Sequence, residues 1–206
     1  MISDSFNKKI RVLTRMKKNF LFLFSFLFLF FFSLSSLLFF SPTYAWQHEV
    51  AIGYGDGKEI EQNYDNRGVV LSGKFYKFPK IDDTLIASID GTLANINSST
   101  STDNHLVTAA AALAMRAYFM NPDDHSVRPY LQASFGPALL SQRTLGNRTQ
   151  GSNFAFQTTF ETGMEIGSQA KSIDLNLRLA HYCNAGLFHP NQGINLMPIV
   201  SIGYLF

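Results

Sequence analysis

Two side chains near the end of the sequence, His181 and Cys183, combine a proton acceptor with a sulfur nucleophile. They are two residues apart in an alternating segment, so in an extended strand both project from the same face. An imidazole in this position can hold a thiol as a thiolate–imidazolium pair, the reactive form of cysteine. The alternative is a solvated histidine beside a cysteine that packs as a small hydrophobic residue. The spacing alone leaves both interpretations open.

The residues before this pair predict the strand that carries it. The odd positions of residues 173–179 are Ile or Leu, whereas the even positions include Asp174 and Arg178. A period of two residues is typical of a β-strand with one apolar and one polar face. His181 and Cys183 continue the apolar face at its upper end. Polar groups on a face that meets lipid cost free energy, which indicates a functional reason for their presence.

The same alternation recurs through the remaining sequence and predicts an all-β protein. We predict eight strands, which lie near residues 46–56, 67–78, 84–95, 105–120, 127–140, 152–167, 171–183 and 196–206. Their connections alternate between short turns, at residues 121–124 and 168–170, and longer polar loops, at residues 95–104 and 141–151. This asymmetry is expected of an outer-membrane barrel with periplasmic turns and extracellular loops.

Strands of this kind can bury their apolar faces in two architectures. A soluble sandwich or a lipocalin-like barrel places the apolar face inside, whereas an outer-membrane barrel places it outside, against lipid. Strand lengths of ten or more residues, the alternating connections and a final amphipathic strand ending at Phe206 favour the second. Such a final strand resembles the closing strand that barrel-assembly machinery recognises. We therefore predict an eight-stranded antiparallel transmembrane β-barrel over residues 46–206.

The lumen of an eight-stranded barrel is too narrow for an open channel and fills with side chains. The polar faces of the sixth and seventh predicted strands supply a paired core, made of Gln157, Glu161, Glu165, Asp174 and Arg178. We expect internal ion pairs rather than catalytic groups among these charges. A porin function is disfavoured for the same reason.

The first 45 residues differ in kind from the rest. They hold six of the 17 basic residues, one of the 15 acidic residues and 11 of the 20 Phe. A basic stretch, the uncharged apolar run of residues 19–40 and a small residue at Ala45 follow the order of a secretory signal peptide. We predict cleavage after Ala45 and export to the outer membrane. The alternatives are an uncleaved membrane helix and a translation start at Met16.

Charge and cysteine content disfavour several other classes of function. Residues 46–206 carry a net charge of −3 once the basic start is set aside. This disfavours nucleic-acid binding, which needs clustered Lys and Arg. A single cysteine cannot form an internal disulfide, and no Cys/His spacing matches a structural zinc site.

The segment HYCNAGLFHPNQGIN, residues 181–195, resembles the signature of the lipid A 3-O-deacylase family, which reads roughly His-x-Ser-Asn-Ala-x-…-Pro-Asn-x-Gly-x-Glu. The matching positions are His181, Asn184, Ala185, Gly186, Pro190, Asn191 and Gly193. A looser similarity extends back through residues 151–157 and 163–167. The resemblance implies an eight-stranded outer-membrane barrel with a Ser-His-Glu triad on its outer surface. It also implies hydrolysis of the ester-linked acyl chain at the 3 position of lipid A.

Two positions depart from the family pattern. Cys183 stands where the family has its serine nucleophile, and Asn195 where it has the acidic residue. Together these changes produce a Cys-His-Asn set like that of papain-like enzymes. The resemblance therefore implies two groups of site residues: the catalytic His181, Cys183 and Asn195, and the oxyanion or supporting Asn184, Gly186 and Asn191. The implied reaction needs no metal or cofactor.

The implied substrate is lipid A within lipopolysaccharide. The implied partners are outer-membrane lipids and, through Phe206, the barrel-assembly machinery, and a homodimer is compatible with the sequence. Two other functions stay open: a catalytically inactive barrel with a structural or adhesive role, and a secreted lipocalin-like binder.

Overall fold

A computed structural model of the chain describes residues 48–77, 84–120, 125–168 and 171–206. These residues form the strands β1 (Glu49–Lys58), β2 (Asp65–Lys77), β3 (Leu85–Ser98), β4 (His105–Tyr118), β5 (Val127–Leu140), β6 (Thr144–Leu145), β7 (Arg148–Thr149), β8 (Phe154–Gly167), β9 (Ser172–Cys183) and β10 (Ile194–Leu205). The expected signal peptide, the turn at 121–124 and part of the turn at 168–170 lie outside the described residues. Within the described ranges, no helix has the length and apolar character needed to cross a membrane.

Eight of these strands pair antiparallel into a closed barrel, in the order β1-β10-β9-β8-β5-β4-β3-β2. β1 closes the cylinder on β10, with a register that runs from Glu49 opposite Leu205 to Gly55 opposite Ile199. Closure pairs every barrel strand on both sides, as a lipid environment requires. The predicted fold is confirmed. The short strands β6 and β7 form a separate hairpin inside the predicted loop at 141–151, which the alternation pattern did not indicate.

The alternation of exposed and buried residues shows which face of each strand lines the lumen. In β9, Ile173 and Leu179 are 45% and 40% exposed on the outer wall, whereas Asp174 and Arg178 are buried inside. The other barrel strands likewise direct large apolar side chains outward. An apolar outer wall around a polar interior is the arrangement of a barrel that spans a bilayer. The orientation predicted for the faces is thus confirmed.

Buried ion pairs fill the middle of the lumen. They include Arg178 Nη2–Glu161 Oε2 (2.7 Å), Arg116 Nη1–Asp174 Oδ2 (3.0 Å), Lys74 Nζ–Glu49 Oε2 (2.6 Å) and Arg128 Nη2–Glu165 Oε2 (3.1 Å). Gln157, the remaining predicted member of the paired core, donates a hydrogen bond to Tyr182 Oη (2.8 Å). The expected paired core is confirmed.

Three carboxylates of this core, those of Glu49, Glu165 and Asp174, have oxygens within 4.8 Å of one another. A cation could be held by such a group, but the neighbouring Lys and Arg side chains already balance its charge. We therefore assign these residues to the ion-pair network.

Apolar side chains close the lumen above the ion pairs. At the end of the barrel where β1, β3, β5 and β9 finish, which we call the upper rim, a buried cluster contains Ile96, Leu106, Leu145, Ile194 and Leu196. Leu145 belongs to the β6–β7 hairpin, which thereby reaches into this end of the barrel. A packed interior of this kind gives the outward side chains of β9 and β10 at the rim a rigid support.

Candidate active site

His181 and Cys183 both lie on the outward face of β9 at the upper rim, and both are half-buried. The register of the sheet places His181 between Thr158 of β8 and Asn195 of β10. Cys183 lies opposite Phe156 of β8. The two side chains thus share a face at the end of the apolar stripe. Among the contacts of the described residues, no hydrogen bond joins Cys183 Sγ to the imidazole.

The structure brings His181 and Asn195 into direct contact. His181 Nδ1 and Asn195 Oδ1 are 2.7 Å apart. Asn195 is 5% exposed although it projects from the outer side of β10, because other side chains cover it. The oxygen of its side-chain amide contacts the imidazole, and the nitrogen contacts Glu59, a residue that the sequence pattern did not predict to be part of the site.

Glu59 follows the last residue of β1 and is 1% exposed. Its carboxylate accepts hydrogen bonds from the backbone N–H of Asn195 (3.0 Å) and from the Asn195 side-chain amide. It also accepts from Asn66 Nδ2 (2.7 Å) and from the N–H of Ile60 (3.0 Å). Four N–H groups therefore converge on one carboxylate.

Glu59 occupies the place where β1 and β10 stop pairing. The last register pair between these strands is Gly55 opposite Ile199, and β10 has a bulge between Leu196 and Ile199. Above the bulge the N–H of Asn195 faces away from β9 and lacks a strand partner. The Glu59 carboxylate satisfies this N–H in place of the missing backbone carbonyl.

The contact with Glu59 fixes which way the Asn195 amide points. A carboxylate only accepts hydrogen bonds, so Nδ2 of Asn195 faces Glu59 and Oδ1 faces His181. The Nδ1 atom of His181 must then carry the hydrogen and donate it to Oδ1. From this network we assign the Nδ1–H tautomer, in which Nε2 keeps its lone pair. His181 can therefore act as a base through Nε2.

Gly193 supports the imidazole from the β9–β10 connection. A Cβ at this position would overlap His181 Cε1 and lie 3.0 Å from Nε2. Any side chain here would therefore push the ring from its place beside Asn195. This close approach gives a physical reason for the glycine in the motif.

The connection after β9 is organised by Asn184, which is completely buried. Its side-chain amide donates to the carbonyls of Phe188 (2.8 Å) and Pro190 (3.2 Å). Its Oδ1 accepts from the N–H of Gly186 (3.1 Å), and its own N–H donates to Asn191 Oδ1 (2.9 Å). Asn184, Gly186 and Asn191 are thus brought together as a hydrogen-bonded loop next to Cys183. The Gly186 N–H is engaged within that loop.

The β6–β7 hairpin braces the same loop from the neighbouring connection. The N–H of Thr149 donates to Gln192 Oε1 (2.8 Å), and the N–H of Gln192 donates to the Thr149 carbonyl (3.1 Å). Gln150, also buried, accepts from the N–H of Asn184 at 3.2 Å. The two loops that flank the site therefore hold each other in place.

An aromatic cluster borders Cys183 on the outer wall. Phe156, its register neighbour, stacks on Phe135 with ring centroids 5.2 Å apart and meets Phe154 edge-on at 5.3 Å. Phe135 is 55% exposed on the lipid side, and Phe156 is 9% exposed beneath it. An apolar surface therefore begins beside the thiol and continues down the barrel wall.

Comparisons with known proteins agree with this architecture. Residues 83–201 match the family described as Lipid A 3-O-deacylase (PagL), and this match covers more than half of the chain. The chain belongs to this family. Over 69 residues it is 33% identical to the lipid A deacylase PagL of Pseudomonas aeruginosa. That alignment covers 34% of this chain and 38% of the relative's length.

Two solved structures share the barrel fold. The crystal structure of the outer membrane enzyme PagL superposes with a TM-score of 0.53 at 22% identity, covering 77% of this chain and 98% of that one. The structure of Neisserial surface protein A superposes with a TM-score of 0.53 at 13% identity, covering 80% of this chain and 98% of that one. These likenesses concern the fold alone.

The residues around the histidine of this chain are a thiol at position 183 and an amide at position 195. The carboxylate that contacts this amide comes from Glu59, 136 residues away in the chain. No pattern in the sequence separates Glu59 from the nearby Glu61, because both lie in the same polar connection.

Proposed function

We propose that this protein is an outer-membrane ester hydrolase that releases the acyl chain from the 3 position of lipid A. The observation that carries the proposal is the His181–Asn195 hydrogen bond of 2.7 Å, which leaves Nε2 free on the same outward face as Cys183. A base and a thiol on a lipid-facing wall suit a substrate that is itself a membrane component. Family membership supports the same chemistry.

In the proposed reaction, His181 Nε2 takes the proton of Cys183, and the thiolate attacks the ester carbonyl of the acyl chain. The carbon–oxygen bond to the sugar then breaks, and the imidazolium returns its proton to the departing alkoxide. The acyl group remains on sulfur as a thioester. His181 next removes a proton from water, which attacks the thioester and releases a fatty acid and the thiol.

The hydrogen bond from the thiol to Nε2 is expected to form in the substrate complex, because catalytic hydrogen bonds commonly tighten only when substrate is bound. Asn195 holds the imidazole in position during both half-reactions, as the asparagine of a Cys-His-Asn set does. The donors proposed for the oxyanion lie in the loop after β9. Asn191 is the best placed by its bonding, because its Oδ1 is used by Asn184 and its Nδ2 makes no hydrogen bond to a described residue.

The aromatic cluster of Phe135, Phe154 and Phe156 supports a lipid substrate. It extends the apolar wall to the register neighbour of Cys183, so an acyl chain lying on it would bring its ester towards the sulfur. The chain would remain within the leaflet during the reaction. Lipid A would thus be cleaved from the side, without entering the lumen.

We extend the proposal to the route by which the protein reaches its membrane. Residues 1–45 act as a signal peptide that is cleaved after Ala45, and the strand that ends near Phe206 is recognised by the barrel-assembly machinery. In the folded barrel Phe206 exchanges backbone hydrogen bonds with His48, at 3.0 Å and 2.9 Å.

The test is to express the full chain in a Gram-negative host, extract lipid A and determine its mass. We expect loss of one 3-hydroxyacyl group, and no loss with Cys183→Ala. A folded barrel that leaves lipid A unchanged would contradict the proposal. Activity only in the variant Cys183→Ser, Asn195→Glu, Glu59→Gln, which restores the family residues without setting two carboxylates side by side, would show that the scaffold is intact and the natural site inactive.

A further inference from the structure

Glu59 is a buried carboxylate without a basic partner in the part of the chain that the structure describes. Its oxygens are bonded by the amide groups of Asn66 and Asn195 and by the N–H groups of Ile60 and Asn195. No Lys, Arg or His in the described part of the chain forms an ion pair with it. Buried charges are normally paired with an opposite charge, because hydrogen bonds to neutral donors stabilise them only in part. A nearby positive charge would therefore stabilise this carboxylate, and no such charge is present while His181 is neutral.

The Asn195 side chain connects this carboxylate to the imidazole. One end of the amide donates to Glu59, and the other end accepts from His181 Nδ1 at 2.7 Å. The connection thus runs from the β1–β2 turn through β10 to β9. When His181 accepts a proton at Nε2, the ring becomes positively charged one amide away from Glu59.

We propose that Glu59 is a positioning residue of this site, acting on His181 through Asn195. It locks the amide so that Oδ1 faces the imidazole, and its negative charge stabilises the imidazolium that forms during the reaction. The carboxylate that the family pattern places on β10 would thereby be supplied from the β1–β2 connection. This assignment rests on the proposed hydrolase function for its kinetic consequences, but its structural part stands apart from activity.

Other ionisable groups around Glu59 do not take this role. Tyr64 is close to it, and burial together with the Glu59 charge raises the pKa of the Tyr64 phenol, so the ring stays neutral. Arg148 of β7 interacts with Tyr64, and its guanidinium lies 3.8 Å from the carboxylate of Glu61 rather than that of Glu59. Glu61 itself is 82% exposed and offers a matched control of the same residue type.

The first experiment measures the His181 tautomer by ¹⁵N NMR of the full chain in detergent micelles, with ¹⁵N-labelled histidine. The chain has five His, so the His181 signals are assigned by comparison with His181→Gln. We expect an Nδ1–H tautomer in the wild-type barrel and a mixture of tautomers in Glu59→Gln. A wild-type ring protonated on Nε2 would overturn the proposal without any variant being needed.

The second experiment compares the pH dependence of deacylation in wild type, Glu59→Gln and Glu61→Gln. We expect Glu59→Gln to lower kcat by about 10- to 100-fold with KM unchanged, and to move the acid limb of the profile to lower pH. His181 acts as a base only when its ring is neutral. Removing a negative charge near the imidazolium makes it lose its proton more easily, so the neutral ring persists to lower pH. Glu61→Gln should match wild type in rate and profile.

A double-variant cycle provides a rescue. Asn195→Glu alone places a second carboxylate against Glu59 and should reduce activity, whereas Asn195→Glu combined with Glu59→Gln should recover most of it. An active wild type whose profile is unaltered by Glu59→Gln would refute the role of Glu59 and leave the proposed function intact. An inactive wild type that shows the Nδ1–H tautomer, and loses it in Glu59→Gln, would refute only the function.

Discussion

The charged groups of this barrel occupy two places and are neutralised in two different ways. In the lumen, Arg116 lies close to Glu161 and Asp174 among other carboxylates, and every predicted member of the core has a charged or hydrogen-bonding partner. At the rim, the partners of the Glu59 carboxylate among the described residues are all neutral N–H groups. The lumen charges are mutually compensated, whereas the rim carboxylate is compensated only when its neighbour His181 gains a proton.

The charges of the two regions therefore have different roles: those in the lumen stabilise the fold, and the one at the rim acts on the base of the proposed reaction. A change of protonation does not stabilise the lumen network further, because each ion is already paired in a fixed geometry. A carboxylate connected to an imidazole is stabilised when the ring is protonated. Burial alone does not distinguish the two regions, since Glu59 and Glu161 are 1% and 0% exposed. The regions differ in the kind of group that contacts each carboxylate.

Removal of the Cys183 sulfur should have the largest effect on activity. Cys183→Ala should lower deacylation by more than about 1,000-fold, because no nucleophile remains to form the acyl intermediate. Heat-modifiable migration on gels should stay as in wild type, since a half-buried thiol contributes little to packing. Activity that survives Cys183→Ala would show that another group is the nucleophile and would contradict the role assigned to Cys183.

Removing a cation from the lumen should lower stability and leave activity unchanged, which is the opposite of the effect of Cys183→Ala. Arg116→Met leaves Glu161, Asp174 and their neighbours without a central positive charge, and should destabilise the barrel by about 3–5 kcal/mol. Urea unfolding in micelles measures this change. Deacylation per folded molecule should be unaltered. Arg67→Met, on the exposed face of β2, provides the surface control and should change stability by less than about 0.5 kcal/mol.

A smaller perturbation tests the placement of the imidazole alone. Gly193→Ala adds a methyl group where His181 Cε1 lies, so the ring must move from Asn195. We expect a loss of about 100-fold in kcat with normal folding, because a displacement near 1 Å costs about this much. A Gly193→Ala variant with the wild-type rate and the Nδ1–H tautomer would show that the ring tolerates the shift.

The mildest expected effect concerns the acyl chain. Phe156→Ala removes the ring next to Cys183 and should raise KM for lipid A about tenfold with little change in kcat, since it removes apolar contact area only. Phe160→Ala is the matched control, because Phe160 projects outward from the same strand further from the rim. Equal effects of the two substitutions would argue against a specific acyl-chain surface.

Much of the fold followed from the sequence, because the alternation of β9 and its neighbours reports directly which side chains face lipid. The ion pairs of Asp174 and Arg178 followed from the same period. The β6–β7 hairpin did not, since strands of two residues are too short to show a period. Glu59 was missed for a different reason. Its role depends on a contact across 136 residues and on the bulge in β10, neither of which leaves a local pattern.

The seam at which β1 meets β10 has a consequence for when the protein becomes competent. His181 and Asn195 belong to the last two strands, whereas Glu59 follows the first. The bonds between Asn195 and Glu59 therefore exist only after the opposite ends of the sheet have joined. A chain whose sheet is still open carries the thiol, but its imidazole lacks this restraint. The arrangement around His181 is thus completed late, when the cylinder closes.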